Sequence, residues 1–212
     1  MNQKTTTGFP PAWAPAAAAA LLALAGCASQ PDNYYTLASP VAEAAPPAAG
    51  AAPIYIELAP VAVPERLARP QMVVGRASGG VQVDVLEQHR WAASFENELR
   101  DALSSGIAER LGAIDVTKAG RPGAQPVWRI AVQVRQFDAV DGGRVEAGFS
   151  WTLRRADEAR ILSCQLNVGE PVARGIDALA QGAQRVTAAA AAAIARSVSA
   201  AQANAAATAC AL

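Results

Sequence analysis

The cysteine at position 27 is the residue whose setting points most directly to chemistry. It ends the segment Leu24-Ala25-Gly26-Cys27, which closes an apolar run of alanine and leucine over residues 16–25. Small side chains before the cut are typical of a signal-peptide cleavage site, and a thiol is a nucleophile. We therefore expect removal of residues 1–26 and attachment of several acyl chains to Cys27, which would anchor the mature protein stably to a bilayer.

This segment has two alternative interpretations. It could be an ordinary signal peptide with a chance cysteine, or an N-terminal transmembrane helix. The apolar run is shorter than the roughly 20 residues that a membrane-spanning helix needs, and Pro10, Pro11 and Pro15 interrupt any longer helix. In bacterial lipoproteins an aspartate directly after the cysteine usually signals retention in the inner membrane. Ala28 follows the cysteine in this chain. We therefore expect the mature protein to be anchored on the periplasmic side of the outer membrane of a Gram-negative envelope.

Charge and composition argue against a nucleic-acid partner and against a metal cofactor. The chain has 18 Lys and Arg residues against 18 Asp and Glu residues, so it has no basic field that would hold phosphates. Its single histidine, His89, lies near no cysteine or acidic cluster in the sequence, whereas a zinc site needs several such ligands. We expect His89 to be a surface residue at the end of a strand, and we expect no cofactor.

Two further cysteines remain after Cys27 is assigned to lipid. Cys164 falls in a predicted strand and Cys210 lies near the end of the chain, in a compartment that permits disulfides. A bridge between them would join the tail to the sheet. The alternative, which we favour from the sequence, is that Cys164 packs as a small apolar residue and Cys210 stays unpaired.

The sequence contains no recognisable catalytic constellation. It lacks a Gly-x-Ser-x-Gly turn and a glycine-rich phosphate loop. Asp157 and Glu158 are adjacent, so on a strand they would point to opposite faces, and they are better read as a turn than as an acid–base pair. These observations predict a binding or scaffolding protein that is not an enzyme.

Composition divides the chain into four segments. Residues 1–26 are the predicted signal peptide, and residues 27–53 are a lipidated N-terminus with a linker rich in proline and alanine, which we expect to lift the folded part from the bilayer. Residues 54–201 carry the periodic patterns of a folded domain, and residues 202–212 are an alanine-rich tail.

Hydrophobic periodicity predicts one α+β domain, with a mainly antiparallel sheet and two helices packed on one face. Two long apolar stripes at helical spacing predict helices over about 93–111, after Ser94 as N-cap and before Gly112, and over about 175–201. Alternating patterns predict three consecutive antiparallel strands between these helices. Earlier alternating segments predict strands over 54–59, 71–74, 81–87 and, after the first helix, 114–116.

Three segments in this order resemble a known family. They are Tyr34-Tyr35-Thr36-Leu37 after the cysteine, Arg69-Pro70-Gln71-Met72-Val73-Val74 followed by His89-Arg90-Trp91-Ala92, and Trp128-Arg129-Ile130 running on to Gln136-Phe137-Asp138. Together they resemble the auxiliary lipoproteins of ABC-type transport systems, of the paraquat-inducible lipoprotein C type, over about residues 20–200. Relatives often continue with Pro-Leu after Arg-Trp-Ala, whereas this chain has Ala93-Ser94-Phe95.

The resemblance implies partners and a role. Such lipoproteins accompany MCE-domain lipid transporters, so the implied partners are an MCE-domain periplasmic protein and an inner-membrane permease. The implied role is to dock the far end of a hydrophobic conduit at the outer membrane, and the resemblance also allows a homo-oligomer. The alternative is a structural envelope lipoprotein that scaffolds another periplasmic or secretion assembly.

Five residues are candidates for partner binding: Tyr34, Tyr35, Leu37, Arg90 and Trp91. The two tyrosines and the leucine follow the anchor and could form an extended strand that pairs with a partner, pair with the protein's own sheet, or lie at the lipid interface. The tryptophan could instead pack at the start of the first helix. The arginine could instead form a solvated ion pair with Glu87 or Glu96.

Overall fold

The computed structural model of the protein describes residues 30–38, 52–76, 80–120, 123, 125–155, 157–203 and 210. The predicted signal peptide, Cys27, residues 39–51 of the predicted linker and most of the predicted tail lie outside these described residues.

The described segments contain eight strands and two α-helices. The strands are β1 (Asn33–Tyr35), β2 (Tyr55–Leu58), β3 (Gln71–Gly75), β4 (Val83–Trp91), β5 (Ile114–Asp115), β6 (Val127–Ala139), β7 (Arg144–Arg155) and β8 (Ile161–Pro171). The helices are α1 (Phe95–Leu111) and α2 (Ile176–Ala203), and a short 3-10 turn spans Glu65–Leu67.

A five-stranded sheet of order β5-β2-β6-β7-β8 forms the centre of the domain. The long strands β6, β7 and β8 pair antiparallel, because only short connections join each strand to the next. Their register places the alternating apolar residues of the three strands on one side of the sheet. Phe149, Trp151 and Leu153 of β7 lie on that inner face and are fully buried. The predicted three-stranded meander is therefore confirmed, and β2 and β5 extend it with parallel pairing.

A second sheet of three strands, in the order β1-β4-β3, stands beside the first. Strands β3 and β4 pair antiparallel, as the sequence predicted, whereas β1 joins β4 in parallel. The sequence predicted one sheet, because periodicity identifies strands but does not say which strands pair. The α+β class and its mainly antiparallel pairing are confirmed.

Both helices begin and end close to their predicted positions. The Ser94 side chain accepts a hydrogen bond from the Asn97 amide at the start of α1, and Gly112 ends α1 with a left-handed φ of 58°. Helix α2 approaches its neighbours closely through small residues. At Gly106 of α1, an added Cβ would lie 3.1 Å from the Cβ of Ala191 in α2.

The sulfur atoms of Cys164 and Cys210 form a disulfide, with the two Cα atoms 5.7 Å apart. The expectation that Cys210 stays unpaired is therefore wrong. The linear sequence gave no measure of how close the chain end comes to β8, and that proximity decides whether the bond forms. The disulfide fixes residue 210 against the sheet.

The sequence began the folded domain at Ile54, but β1 already pairs with β4 at residues 33–35. Leu37, two residues later, has only 1% of its surface exposed. The proline- and alanine-rich residues 39–51 therefore connect two parts of the domain. The sequence had placed them between the membrane anchor and the domain.

Candidate docking and anchoring site

Strand β1 brings the segment after Cys27 into the fold. Asn33 lies opposite His89 and Tyr35 lies opposite Trp91 in the parallel ladder. The Ala92 amide donates to the Tyr35 carbonyl oxygen at 2.7 Å, directly before α1. Among the alternatives considered for the tyrosine segment, the structure shows the one in which the segment pairs with the protein's own sheet.

The five predicted binding residues divide by burial. Leu37 and Trp91 have 1% and 5% of their surfaces exposed, and the Trp91 ring packs on Phe95 with centroids 5.7 Å apart. These two residues support the start of α1 and are not available to a partner as the domain stands. Tyr34 is 63% exposed, and Arg90 is partly exposed, so these two offer the accessible side chains of the set.

Tyr35 joins three elements through its hydroxyl. The Tyr35 OH donates to Oδ1 of Asp177 in the first turn of α2 at 3.0 Å, and it lies 2.9 Å from Nδ1 of His89 on β4. Since a hydroxyl has one proton, donation to Asp177 leaves His89 Nδ1 as the donor to the tyrosine oxygen. Burial, together with the Asp177 hydrogen bond and negative charge, raises the pKa of Tyr35.

His89 therefore differs from its predicted setting. It was expected as a surface residue at a strand end, but it is half-buried within β4 and stacks on Tyr35 with ring centroids 5.8 Å apart. Its partner comes from a distant part of the sequence, which local patterning could not show.

The residues after β1 are held by side chains from both helices. Oε2 of Glu98 in α1 accepts from the Thr36 hydroxyl and from the Leu37 amide, each at 2.9 Å. Nε2 of Gln184 in α2 donates to the Thr36 carbonyl oxygen at 2.9 Å. These bonds satisfy backbone groups that leave the sheet at this point, so the path of the chain after the anchor is fixed on the domain.

Arg90 is surrounded by acceptors. Its Nε donates to the Glu87 carbonyl oxygen at 2.7 Å, and the guanidinium lies 3.7 Å from the Asp32 carboxylate and 4.0 Å from that of Glu87. Of the two ion pairs considered from the sequence, the structure has the one with Glu87, and Asp32 is an additional partner. The Asp32 contact draws the chain just before β1 onto β4.

The outer face of the three-stranded sheet exposes valines at the start of β4. Val83 and Val85 are 48% and 36% exposed, and Val81 just before β4 is fully exposed. Residues opposite each other in the ladder, and alternate residues along a strand, share a face. By this register the outer face contains Tyr34, Gln71, Val73, Gly75, Val83, Val85 and Arg90.

We call Val83 and Val85 the valine face; Val73, opposite Val85, is half-buried and packs against the core. The opposite face of the same strands is the buried one, since Met72 and Val74 pack in the core. Sequence reasoning missed the valine face, because the alternation of Val81, Val83 and Val85 with polar residues predicts an inward-facing apolar side. The alternating valines are visible in the sequence, but the sequence does not show on which side of this sheet the core lies.

A cavity beneath β3 is too small to hold lipid. It lies among Met72, Trp91, Phe95, Phe137 and Leu179 and has a volume of about 20 Å³. That is close to the space for one water molecule, so an acyl chain does not fit there.

The described residues contain no group of three or more His, Cys, Asp and Glu side chains placed to hold a metal ion. None of the helices among those residues is both long enough and apolar enough to cross a membrane.

Comparison with solved structures shows a shared fold. A crystal structure titled as an uncharacterized protein superposes with a TM-score of 0.62 at 20% identity, over 80% of this chain and 99% of the other. A Xanthomonas campestris protein of the DUF330 family superposes with a TM-score of 0.55 at 16% identity, over 75% of this chain and 90% of the other. No curated protein matches the sequence.

The family comparison covers most of the domain, including the second tyrosine of β1, both sheets and most of α2. The family model described as "ABC-type transport auxiliary lipoprotein component" matches residues 35–195. Since the match covers more than half of the chain, the chain belongs to the family of ABC-type transport auxiliary lipoprotein components.

Proposed function

We propose that the protein is a non-enzymatic, lipid-anchored subunit of an MCE-type intermembrane lipid transport system on the periplasmic side of the outer membrane. Cys27 carries the acyl chains, and the domain docks the end of a periplasmic conduit formed by an MCE-domain protein that an inner-membrane permease serves. The observation that carries the proposal is the family match over residues 35–195 to an auxiliary transport component.

The position of β1 supports a docking role. The predicted lipidation site lies only six residues before Asn33, and β1 is held by β4, α1 and α2. A domain fixed this close to its anchor has a restricted distance from the membrane, which suits a component that receives the end of a conduit.

The contact with the MCE-domain partner is assigned to the region of β1 and the end of β4. Tyr34 and Arg90 lie opposite each other in the ladder on the outer face, and both are accessible. β1 is a strand of three residues, which offers too few free peptide groups for a partner to extend the sheet. We therefore assign the contact to side chains, while Leu37, Trp91 and Tyr35 hold the surface in place.

An in-cell crosslinking experiment on the tagged, full-length protein tests this function. We expect mass spectrometry to identify an MCE-domain protein, and we expect the double variant Tyr34→Ala/Arg90→Ala to lose that crosslink. The matched control is Ile161→Ala/Arg154→Ala, which removes an exposed apolar residue and an arginine that lie opposite each other on the five-stranded sheet.

Three results would contradict the proposal or its assigned contact region. Recovery of only secretion or cell-wall proteins would favour a scaffolding lipoprotein. Mass spectrometry of the mature N-terminus showing an unmodified Cys27 would remove the anchor. An equal loss of crosslinks in the control variant would show that the contact region is assigned wrongly.

A further inference from the structure

We propose that the edge of β8 between Gln165 and Gly169 is a docking site for an extended, acidic segment of a partner polypeptide, which adds to the five-stranded sheet as a further strand. The site lies apart from Tyr34 and Arg90, so it goes beyond the proposed function and does not depend on it. Among the described residues, β8 ends its sheet and has β7 as its one neighbouring strand. A sheet edge presents unpaired peptide groups, and another peptide strand is their natural partner.

A hydrogen bond at the end of β8 shows which of its backbone groups point away from β7. The Val172 amide donates to the carbonyl oxygen of Gly143, directly before β7, at 3.0 Å. In an antiparallel ladder, alternate residues of a strand bond to the same neighbour. The even-numbered residues of β8 therefore point toward β7, and the odd-numbered residues point outward.

Both ends of this outward edge are covered by other parts of the protein. Nη2 of Arg185 in α2 donates to the Pro171 carbonyl oxygen at 3.3 Å. At the other end, Sγ of Cys210 lies 3.2 Å from the Ser163 carbonyl oxygen. Both oxygens belong to odd-numbered residues, which agrees with the direction derived from Val172.

Three outward residues lie between the covered ends, and we call Gln165, Asn167 and Gly169 the open edge. In the part of the chain that the structure describes, no hydrogen bond joins their outward N–H and C=O groups to another element. Proteins usually protect an edge with a proline, an inward-facing charge or a very short strand. The open edge has none of these and lies within a strand of 11 residues, so an added strand can pair with it.

The inner face of the sheet is incompletely covered along the open edge. Leu162 and Cys164 have only 5% and 7% of their surfaces exposed, at the end of β8 where Cys210 is bonded to the strand. Farther along β8, Leu166 and Val168 are half-buried. An added strand with apolar residues at alternate positions would cover these two side chains.

Helix α2 borders the same uncovered region. Arg185 forms an ion pair with Glu170 of β8 at 3.3 Å, so this side of the helix faces the edge strand. Ala189, Ala192 and Arg196 follow Arg185 at helical spacing on that side. The two alanines are half-buried, and their small side chains leave room for the apolar residues of an added strand.

The charges near the open edge favour an acidic partner. Arg144 is already paired with Glu146 at 3.1 Å. Arg135, by contrast, donates to the uncharged Oδ1 of Asn167 at 2.7 Å. Arg196 is exposed and has no carboxylate partner among the described residues. Carboxylates on the incoming segment would compensate the charges of Arg135 and Arg196.

Peptide binding to the full mature chain tests the proposal. The probe is a fluorescent eight-residue peptide in which valine alternates with glutamate and threonine, and its anisotropy is followed as protein in detergent micelles is added. The variant Gln165→Pro removes an outward N–H and no bond to β7, since an edge strand tolerates proline where the N–H faces solvent. The matched control Gln165→Thr keeps that N–H.

We expect saturable binding to the wild type and to Gln165→Thr, and at least several-fold weaker binding to Gln165→Pro. A peptide with lysine in place of glutamate should bind several-fold more weakly than the probe, and Arg196→Glu should reduce that difference. Absence of saturable binding at millimolar concentration, or equal affinities of the two Gln165 variants, would overturn the proposal. Equal affinities for the two peptides would overturn the acidic character of the partner.

Amide hydrogen exchange of the wild type, measured by NMR, provides a second test that does not require Gln165→Pro to fold. The amides of the open edge should exchange rapidly in the free protein and become protected when the peptide is added. Those of Leu166 and Val168, which point toward β7, should stay protected in both states. Slow exchange at the open edge in the free protein would overturn the proposal, because another part of the chain or a second copy would already occupy the edge.

Discussion

At the scale of single residues, the Tyr35 hydroxyl is the point where β1, β4 and α2 meet. We expect Tyr35→Phe to lower the free energy of unfolding by roughly 0.5–1.5 kcal/mol, since it removes the bonds to Asp177 and His89. Urea denaturation measures this loss. The control is Tyr34→Phe, whose hydroxyl makes only a 3.4 Å bond to Asp32, and an equal loss in both variants would contradict the prediction.

The raised pKa of Tyr35 adds a pH dependence to that prediction. The ordinary tyrosine pKa is 10.0, and the folded state raises it by burial and by the neighbouring Asp177. The protonated form is thus favoured by folding, so its contribution to stability is present below pH 10 and is lost as the pH rises through the folded pKa. The stability difference between the wild type and Tyr35→Phe should shrink over that range.

Asp115 is expected to give the opposite pH dependence. Burial alone raises the pKa of its carboxyl, but hydrogen bonds from Ser104 and Thr117 and the charge of Arg100 outweigh burial and leave the pKa below its usual 3.8. Folding therefore favours the ionised form, and that stability is present above pH 3.8 and lost as the pH falls through the folded pKa.

The variant Asp115→Asn tests this expectation. Its destabilisation relative to the wild type should be greatest near neutral pH and should diminish below pH 3.8, as measured by urea denaturation at a series of pH values. A stability difference that stays constant between neutral and strongly acidic pH would show that the carboxylate charge contributes nothing.

Residue types allowed part of the candidate docking site to be predicted from the sequence, and contacts in the structure decided the rest. The order of tyrosine, arginine and tryptophan segments marked the region of β1 and β4. It could not separate accessible Tyr34 from buried Leu37, since both are large side chains in a segment too short to show a periodic pattern. The partners of Tyr35, namely His89 and Asp177, are distant in sequence and have no local pattern that would connect them.

At the scale of elements, α2 approaches the sheet closely at Gly182. Alanine normally stabilises a helix interior relative to glycine by about 0.5–1 kcal/mol. Here an added Cβ would lie 2.9 Å from Cγ2 of Val145 and would also collide with Val172. We expect Gly182→Ala to destabilise the domain by about 1–3 kcal/mol, because the helix must shift from the sheet.

Thermal or urea unfolding measures this effect, with Gln181→Ala as the neighbouring control. Gln181 is exposed on the same helix, and glutamine and alanine have similar helix propensities, so its change should stay within about 0.5 kcal/mol. A stabilised Gly182→Ala variant would mean that α2 has more space above β7 than the structure gives it.

Strands and helices with long, regular patterns were predictable from the sequence, and their pairing was not. Each of these elements buries one face, so its apolar residues recur at a regular spacing that can be read from the sequence. This holds for α1 and α2 and for β6, β7 and β8. The three residues of β1 are too few to show any period, and their strand exists because β4, Glu98 and Gln184 supply its partners. Tertiary contacts therefore decide the part of the fold nearest the anchor.

At the scale of the whole molecule, the position of β1 makes the spacing between anchor and domain a property that can be tested. A flexible insertion of ten glycine and serine residues between Gln30 and Pro31 adds a root-mean-square length of about 17 Å. Six residues keep Asn33 within about 20 Å of Cys27. We therefore expect this insertion to reduce the in-cell crosslink to the proposed MCE-domain partner greatly, while the proposed acylation and the amount of protein stay unchanged.

The same ten residues inserted between Pro47 and Ala48 provide the control. Residues 39–51 join β1 to β2, both of which belong to the folded domain, so a longer connection there costs little and leaves the anchor distance unchanged. We expect normal crosslinking from this variant. If instead the insertion at residue 47 removes the crosslink and the one at residue 30 does not, the proline-rich segment acts as the membrane spacer and β1 does not hold the domain near the bilayer.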